Sequence, residues 1–93
     1  MKVEATRQFS KDLSSCSKDL VVNVVEVIEV LENCTDIYQC GLDVKKIKGK
    51  KNNTNLYRIR IGVWRIGLNY KKPDVLLLRI LHRGEIYKHF PPK

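Results

Sequence analysis

The stretch LYRIRIGVWRIGLNY, residues Leu56 to Tyr70, decides the fold of this 93-residue chain. Apolar and polar side chains alternate along both of its halves, which is typical of β-strands that bury one face and expose the other to solvent. Between the halves, the pair Gly62-Val63 suits a two-residue turn, because glycine accepts the positive φ with which a type II′ turn begins. The stretch therefore predicts a β-hairpin.

Three arginines share the polar face of that hairpin. The predicted register makes four cross-strand pairs, which are Ile61 with Trp64, Arg60 with Arg65, Ile59 with Ile66 and Arg58 with Gly67. Like charges directly opposite each other destabilise a strand pair, so Arg60 beside Arg65 favours an anion bound between them. Gly67 leaves a hollow beside Arg58. The face predicts a phosphate site, and a solvated basic surface is the plainer alternative.

Positive charge is concentrated in the second half of the chain. Residues 1–43 contain four Lys and Arg against eight Asp and Glu, whereas residues 44–93 contain fourteen against two. The net charge of +8 therefore combines an acidic half with a strongly basic half. This segregation indicates a polyanionic partner, which is either nucleic acid or an acidic protein.

Two helices are predicted before the hairpin. The tetrapeptide SKDL begins at Ser10 and again at Ser17. In each copy the serine can cap a helix, and the aspartate can lie in the first turn, where the helix dipole favours negative charge. We expect a short helix from about Phe9 to Cys16 and a longer one from about Lys18 to Asn33.

Three further segments complete the predicted fold. Met1–Arg7 alternates weakly and predicts an edge strand, while Val75–Leu81 is almost continuously apolar and predicts a central strand. Val44–Asn55 predicts a basic loop, which is either simply solvated or a collar on a nucleic-acid backbone. We therefore expect one α+β domain over residues 1–93, in the order β-α-α-β-β-β. Its small twisted sheet of about four strands is antiparallel, mixed at the edge, and packs against the two N-terminal helices.

Cysteine spacing and hydropathy exclude several classes of protein. Cys16, Cys34 and Cys40 lack CxxC spacing, so the sequence predicts neither a disulfide framework nor a zinc site. No apolar run approaches about 18 residues, so no membrane span is expected. Met1–Phe9 is charged and does not resemble a signal peptide, which predicts a cytoplasmic protein.

Three segments together resemble the RelE/ParE superfamily of toxins from type II toxin–antitoxin pairs. They are KKIKG (Lys45 to Gly49), the hairpin LYRIRIGVWRIGLNY and LLRILHRGEIY (Leu77 to Tyr87). RelE-like members of this superfamily are ribosome-dependent endoribonucleases that cut mRNA, whereas ParE-like members share the fold and poison DNA gyrase. The resemblance covers nearly the whole chain and is strongest from Lys45 onward.

The resemblance carries specific roles onto four residues. It implies that Arg65 contacts the scissile phosphate, with Arg60 beside it. Arg83 supports the leaving oxygen, and Tyr87 transfers protons. The further basic residues expected on the RNA are Arg58, Lys46, Lys48, Lys50, Lys51 and His82. Of these, His82 is the rival candidate for proton transfer.

No metal ion or cofactor is expected. RNA supplies its own nucleophile, the 2′-hydroxyl, so a nuclease of this kind needs only to align it, accept its proton and stabilise the added negative charge. After Asp43 the sequence contains only two acids, Asp74 and Glu85, which do not make a carboxylate cluster for a metal.

The resemblance also implies two macromolecular partners. One is mRNA on the ribosome, and the other is a partly disordered antitoxin that neutralises the toxin as it folds around it. DNA is contacted only through the toxin–antitoxin complex. Two alternatives stay open, a ParE-like gyrase inhibitor and an inactive homologue that only binds its antitoxin. Arg65, Arg83 and Tyr87 together favour the enzyme.

Overall fold

The computed structural model describes residues 1–48 and 55–90 of the chain. These residues form the strands β1 (Lys2–Ala5), β2 (Val44–Lys46), β3 (Leu56–Ile61), β4 (Trp64–Lys71) and β5 (Asp74–His82). They also form the helices α1 (Arg7–Ser14), α2 (Lys18–Asn33) and α3 (Ile86–His89), with a 3-10 turn at Ile37–Gln39. None of these helices is long and apolar enough to cross a membrane.

The five strands belong to one sheet, in the order β1-β5-β4-β3-β2. β1 runs parallel to β5, and every other neighbouring pair is antiparallel. The prediction of an α+β fold with a sheet mixed at its edge is confirmed. The sheet has one strand more than expected, because Val44–Lys46 pairs with β3 instead of remaining in a loop. Its lysines are typical of an edge strand, where charge discourages pairing with another chain.

The hairpin of β3 and β4 has the predicted register. Arg60 lies opposite Arg65, and Arg58 lies opposite Gly67. Gly62 has a φ of 58°, as the predicted turn requires. The local pattern was therefore sufficient to determine how these two strands pair.

The two N-terminal helices differ in how well their starts were predicted. α2 spans Lys18–Asn33 as expected and is capped by Ser17. α1 starts earlier than predicted, because its N-cap is Thr6 and not Ser10. The Thr6 hydroxyl also donates to the carbonyl oxygen of Leu78 in β5, 3.1 Å away. A contact that is distant in sequence thus helps to select this cap.

The sheet has one face covered by helices and one that is covered in part. α1 and α2 pack on the first face over the main core, whose buried side chains include Phe9, Leu20, Val24, Leu31, Ile59, Ile66, Leu68, Leu77 and Ile80. On the opposite face, Ile86 of α3 and Phe90, which directly follows α3, form a second cluster with Leu56. α3 therefore covers one part of this second face and leaves the arginines of the hairpin beside it.

A disulfide joins Cys34 and Cys40, whose Cα atoms are 5.8 Å apart. The expectation that these cysteines are separate thiols was wrong. The 3-10 turn at Ile37–Gln39 lies between them and folds the chain back, so a six-residue separation becomes a contact. Cys16 is the free cysteine.

An ion pair between Asp12 and Arg79 holds α1 against β5. Arg79 donates through Nε to Asp12 Oδ2 at 2.8 Å and through Nη2 to Oδ1 at 3.1 Å. The backbone N–H of Ile80 donates to the same carboxylate at 3.1 Å. The Asp12 side chain is only 8% exposed. Arg79 therefore points towards α1 and not towards the hairpin arginines.

We expect Asp12→Ala to lower the free energy of unfolding by about 2 kcal/mol, because it leaves the half-buried Arg79 guanidinium and one backbone N–H without their acceptor. Urea unfolding at neutral pH measures this loss. Glu26→Ala removes an exposed acid from α2 and should have little effect. Equal losses in the two variants would show that the Asp12 contacts contribute no special stability.

The same ion pair predicts a dependence of stability on pH. Burial alone would raise the pKa of the Asp12 carboxyl, but hydrogen bonds from Arg79, Gln8 and Ile80 outweigh it and place the pKa below its ordinary value. A carboxyl with a lowered folded-state pKa stabilises the protein above its unfolded pKa and loses that contribution on acidification. The stability difference between wild type and Asp12→Ala should therefore shrink below about pH 4.

Candidate functional site

Four basic side chains lie on one face of the sheet, which we call the arginine face. It consists of Arg58 and Arg60 from β3, Arg65 from β4 and Lys45 from β2, on the side away from α1 and α2. Directly paired residues share a face of a sheet, and Lys45 is paired with Arg58 as Arg60 is with Arg65. The concentration of positive charge makes this face a site for an anion.

Arg65 lies at the centre of this charge. Its Nη1 donates to the carbonyl oxygens of Gly62, at 2.8 Å, and Trp64, at 3.0 Å, which holds the side chain across the hairpin turn. Burial lowers the pKa of the Arg65 guanidinium, and the neighbouring charges of Arg60, Arg58 and Arg83 lower it further, while Tyr87 opposes them. The predicted catalytic residues are therefore electrostatic neighbours of Arg65. Such a cluster of like charges is stabilised when an anion binds.

Arg83 and Tyr87 reach this neighbourhood from the segment after β5. The backbone N–H of Arg83 donates to the carbonyl oxygen of Val63 at 2.8 Å, which ties this segment to the hairpin turn. Tyr87 belongs to α3, and 62% of its surface is exposed. Arg60, Arg83 and Tyr87 thus come near Arg65 from two segments, and the Tyr87 side chain is exposed to solvent.

The aromatic ring of Phe90 fixes α3 on the arginine face. Ile86 is fully buried and Phe90 is 1% exposed, so both anchor the helix that carries Tyr87. The Phe90 ring lies directly over Gly67, where an added Cβ would be 2.7 Å from Phe90 Cδ1. The hollow expected at Gly67 beside Arg58 is therefore filled by this ring. Glycine is needed at this position because of the close approach, not because of its φ.

We expect Gly67→Ala to lower the free energy of unfolding by about 1–3 kcal/mol, the usual range for overpacking. The new methyl group would meet three atoms of the Phe90 ring at 2.7–2.9 Å, so α3 must shift. Amide hydrogen exchange in α3 should rise together with the loss of stability. Gly84→Ala is the matched control, because the nearest atom to its added Cβ is His82 Nδ1 at 3.6 Å. Unchanged exchange in Gly67→Ala would contradict this account of the seating of α3.

Two predicted RNA-binding residues lie on the other side of the sheet. Lys46 is paired with Tyr57, and its Nζ is 5.9 Å from the centre of the Tyr57 ring. His82 is paired with Trp64, their ring centres are 5.7 Å apart, and its Nδ1 accepts the N–H of Gly84. Both side chains follow the alternation of their strands onto the face of the helices. They therefore lie apart from the arginine face, and their predicted contact with RNA stays a prediction.

The basic segment before the hairpin contributes to the arginine face a lysine that was not among those expected to bind RNA. Lys45 lies on the arginine face, and the strand alternation of β2 would have identified it had this segment been recognised as a strand. Lys48 is exposed after the end of β2. Lys50 and Lys51, which were predicted to bind RNA, lie outside the described residues.

Asp43, which no sequence pattern singled out, is the single acid that contacts the arginine face among the described residues. Its carboxylate oxygens lie 3.5 Å from Arg58 Nη1 and 3.9 Å from Arg60 Nη1. Its backbone carbonyl oxygen accepts the N–H of Arg60 at 2.9 Å. The available signal was its place as the last acid before a long basic segment.

Comparison with known proteins identifies the family. A scan against protein-family models finds no match. The toxin RelE3 of Methanocaldococcus jannaschii is 37% identical over 91 residues, which cover 98% of this chain and 100% of the relative. The chain belongs to the RelE toxin superfamily. The resemblance that the three sequence segments indicated is thereby confirmed.

Solved structures of RelE proteins share the fold described above. The RelB–RelE antitoxin–toxin complex from Methanococcus jannaschii matches with a TM-score of 0.77 and 34% identity, over 95% of this chain and 99% of that chain. The archaeal RelE–RelB complex from Pyrococcus horikoshii matches with a TM-score of 0.69 and 27% identity, over 89% of this chain and 94% of that chain. This RelE toxin thus resembles proteins that were solved together with an antitoxin.

Proposed function

We propose that this RelE toxin is a ribosome-dependent endoribonuclease that cuts mRNA without a metal ion. In the proposed reaction, the ribose 2′-hydroxyl attacks the adjacent phosphorus and the bond to the 5′-oxygen breaks. The observation that supports the proposal is that Arg60, Arg83 and Tyr87 all lie close enough to Arg65 for their charges to change the pKa of its guanidinium. These are the groups that such a reaction needs, because it has negative charge to stabilise and a proton to move.

The phosphate would bind between the guanidinium groups of Arg60 and Arg65. A planar guanidinium donates two parallel hydrogen bonds to phosphate oxygens and keeps its charge throughout the reaction. As the 2′-oxygen attacks, the phosphorus gains a fifth oxygen and the equatorial oxygens gain charge, which these donors stabilise. Arg83 would stabilise the leaving 5′-oxygen. Arg58 and Lys45 would bind the neighbouring RNA backbone.

Tyr87 is the proposed proton-transfer group. Its phenol lies near Arg65, and the other charged neighbours that affect the pKa of Arg65 are all arginines. Its side chain is exposed, so a bound ribose would be able to contact it. His82, the rival candidate, lies on the helix face beside Trp64. This placement favours Tyr87 as the group that exchanges a proton with the reacting oxygens.

A metal ion has no part in the proposed mechanism. Across residues 1–48 and 55–90, no three His, Cys, Asp or Glu side chains are grouped as ligands for one ion. The guanidinium groups supply the positive charge that a metal would otherwise bring to the phosphate. Cleavage should therefore continue in the presence of a chelator, provided that the ribosomes keep their own magnesium.

The proposed regulator is a cognate antitoxin that covers the arginine face. The two solved relatives described above are complexes of RelE with RelB. An acidic, partly disordered antitoxin segment could fold across the cluster of Arg58, Arg60 and Arg65 and exclude RNA. In this scheme the toxin acts in the cytoplasm, where mRNA is translated, and contacts DNA only as part of the toxin–antitoxin complex.

Mapping of mRNA 5′ ends after brief expression of the toxin tests the proposed function. The expected result is a set of new ends inside coding regions, in phase with the codons. DNA breaks without new mRNA ends would identify a ParE-like gyrase inhibitor instead. Absence of both, with intact binding to the antitoxin, would identify an inactive homologue. Co-expression of the antitoxin should abolish the cuts.

A further inference from the structure

We propose that Asp43 is a positioning residue whose carboxylate, in the free toxin, takes the place of an RNA phosphate that would bind between Arg58 and Arg60, next to the scissile one. It holds Arg58 and Arg60 together and turns away when RNA binds. This inference rests on the proposed function, because it concerns the neighbouring RNA phosphate that Arg58 would bind there. It adds an acid to a site otherwise composed of basic residues and a tyrosine.

The carboxylate of Asp43 lies near two arginines at once. Each carboxylate oxygen faces a different guanidinium, Oδ1 at 3.5 Å from Arg58 Nη1 and Oδ2 at 3.9 Å from Arg60 Nη1. Two phosphate oxygens could bridge the same pair of arginines. Both distances are longer than those of well-formed charged hydrogen bonds, so charge attraction holds the group and displacement is easy.

Arg58 has a donor that is ready for an incoming acceptor. Its side chain is only 16% exposed, and no hydrogen-bond acceptor in the described part of the chain satisfies its buried Nη1. An unsatisfied buried donor is unfavourable. Asp43 approaches this atom without completing a hydrogen bond. A phosphate oxygen between Arg58 and Arg60 would complete it.

The backbone of Asp43 is tied to the sheet, whereas its side chain is largely exposed. Its carbonyl oxygen accepts the N–H of Arg60 at 2.9 Å, just before β2 begins. Its side chain is 55% exposed, so a rotation about its own bonds would move the carboxylate into water. Displacement by RNA therefore requires no rearrangement of the sheet.

Asp43→Asn is the informative variant, because it keeps the shape of the side chain and removes its charge. An exposed ion pair typically contributes up to about 1 kcal/mol, which corresponds to a factor of about 5 in a binding constant. We expect Asp43→Asn to bind RNA about 2- to 5-fold more tightly than wild type at low salt. The matched control is Glu26→Gln, which makes the same change in net charge on the exposed surface of α2.

The binding experiment uses a short RNA with a 2′-O-methyl group at each ribose, so that cleavage cannot occur. Purified wild type, Asp43→Asn and Glu26→Gln are titrated with this RNA at two salt concentrations, after thermal unfolding has shown that all three are folded. The expected result is tighter binding by Asp43→Asn alone. An equal gain in Glu26→Gln would reduce the effect to net charge and overturn the proposal. Weaker binding by Asp43→Asn would also overturn it.

A second titration separates this inference from the proposed function. Inorganic phosphate is added to each protein, and the side-chain NMR signals of the arginines report occupancy of the site without any nuclease activity. We expect the signals of Arg58 and Arg60 to move at lower phosphate concentration in Asp43→Asn than in wild type or Glu26→Gln. If wild type cuts no mRNA, the proposed function fails. If all three proteins respond alike to phosphate, the role of Asp43 fails.

Discussion

Arg65→Ala should reduce the rate of mRNA cleavage on the ribosome by about two to three powers of ten, the usual loss when one preorganised donor to a developing anion is removed. Arg60, Arg58 and Arg83 lie close enough to Arg65 to lower the pKa of its guanidinium, and two backbone carbonyl oxygens orient that guanidinium. Single-turnover cleavage with purified ribosomes measures the loss.

Two further variants show whether the loss comes from the position and shape of Arg65. Arg7→Ala removes the positive charge of an exposed side chain at the start of α1 and should leave the rate nearly unchanged. Arg65→Lys keeps the charge but lacks the two-pronged donor of a guanidinium, so it should recover only part of the rate. The hydrogen bonds lost in Arg65→Ala are partly exposed, so its unfolding free energy should change by less than about 1 kcal/mol. Wild-type cleavage by folded Arg65→Ala would refute the assignment.

Tyr87→Phe should reduce the rate of cleavage by about two to four powers of ten, the range that general acid–base groups contribute. The substitution removes one hydroxyl and keeps the ring. Because Tyr87 is 62% exposed, the fold loses no buried contact and stability should be unchanged. Single-turnover rates over a range of pH measure the loss and should show a different pH profile for the variant.

The chain offers a close control for this second experiment. Tyr38 is also 62% exposed but lies beside the disulfide, away from the arginine face, so Tyr38→Phe should cleave mRNA like wild type. His82→Gln tests the rival proton-transfer group and should have a small effect. A large loss in His82→Gln together with normal cleavage by Tyr87→Phe would transfer the acid–base role to the histidine. It would also show that a side chain of the helix face reaches the substrate.

The hairpin and the longer helix were predictable because the interactions that define them are local. The cross-strand pairs from Ile61 with Trp64 outward follow from a two-residue turn and an alternation of period two. Ser17 and the spacing of apolar residues after it determine α2 in a similar way. In both elements, residues close in sequence provide the decisive contacts.

The sequence predicted the pairing of the hairpin arginines better than the faces on which other basic residues lie. Arg60 and Arg65 share a face because they are direct partners in a predictable hairpin. Lys46 and His82 were predicted to bind RNA from charge and resemblance alone, and strand alternation puts both on the opposite face. Charge indicates a type of partner, but the face on which a charge lies depends on how its strand is paired.

By itself, the sequence determined the α+β class, the register of the hairpin and the superfamily. Only the tertiary structure decided that Cys34 joins Cys40, that Phe90 fills the hollow over Gly67 and that Asp43 faces two arginines. Each of these contacts depends on how a turn or a neighbouring strand folds back. A pattern read along the chain does not contain that information, because the free energy of such a contact depends on distances set by the whole sheet.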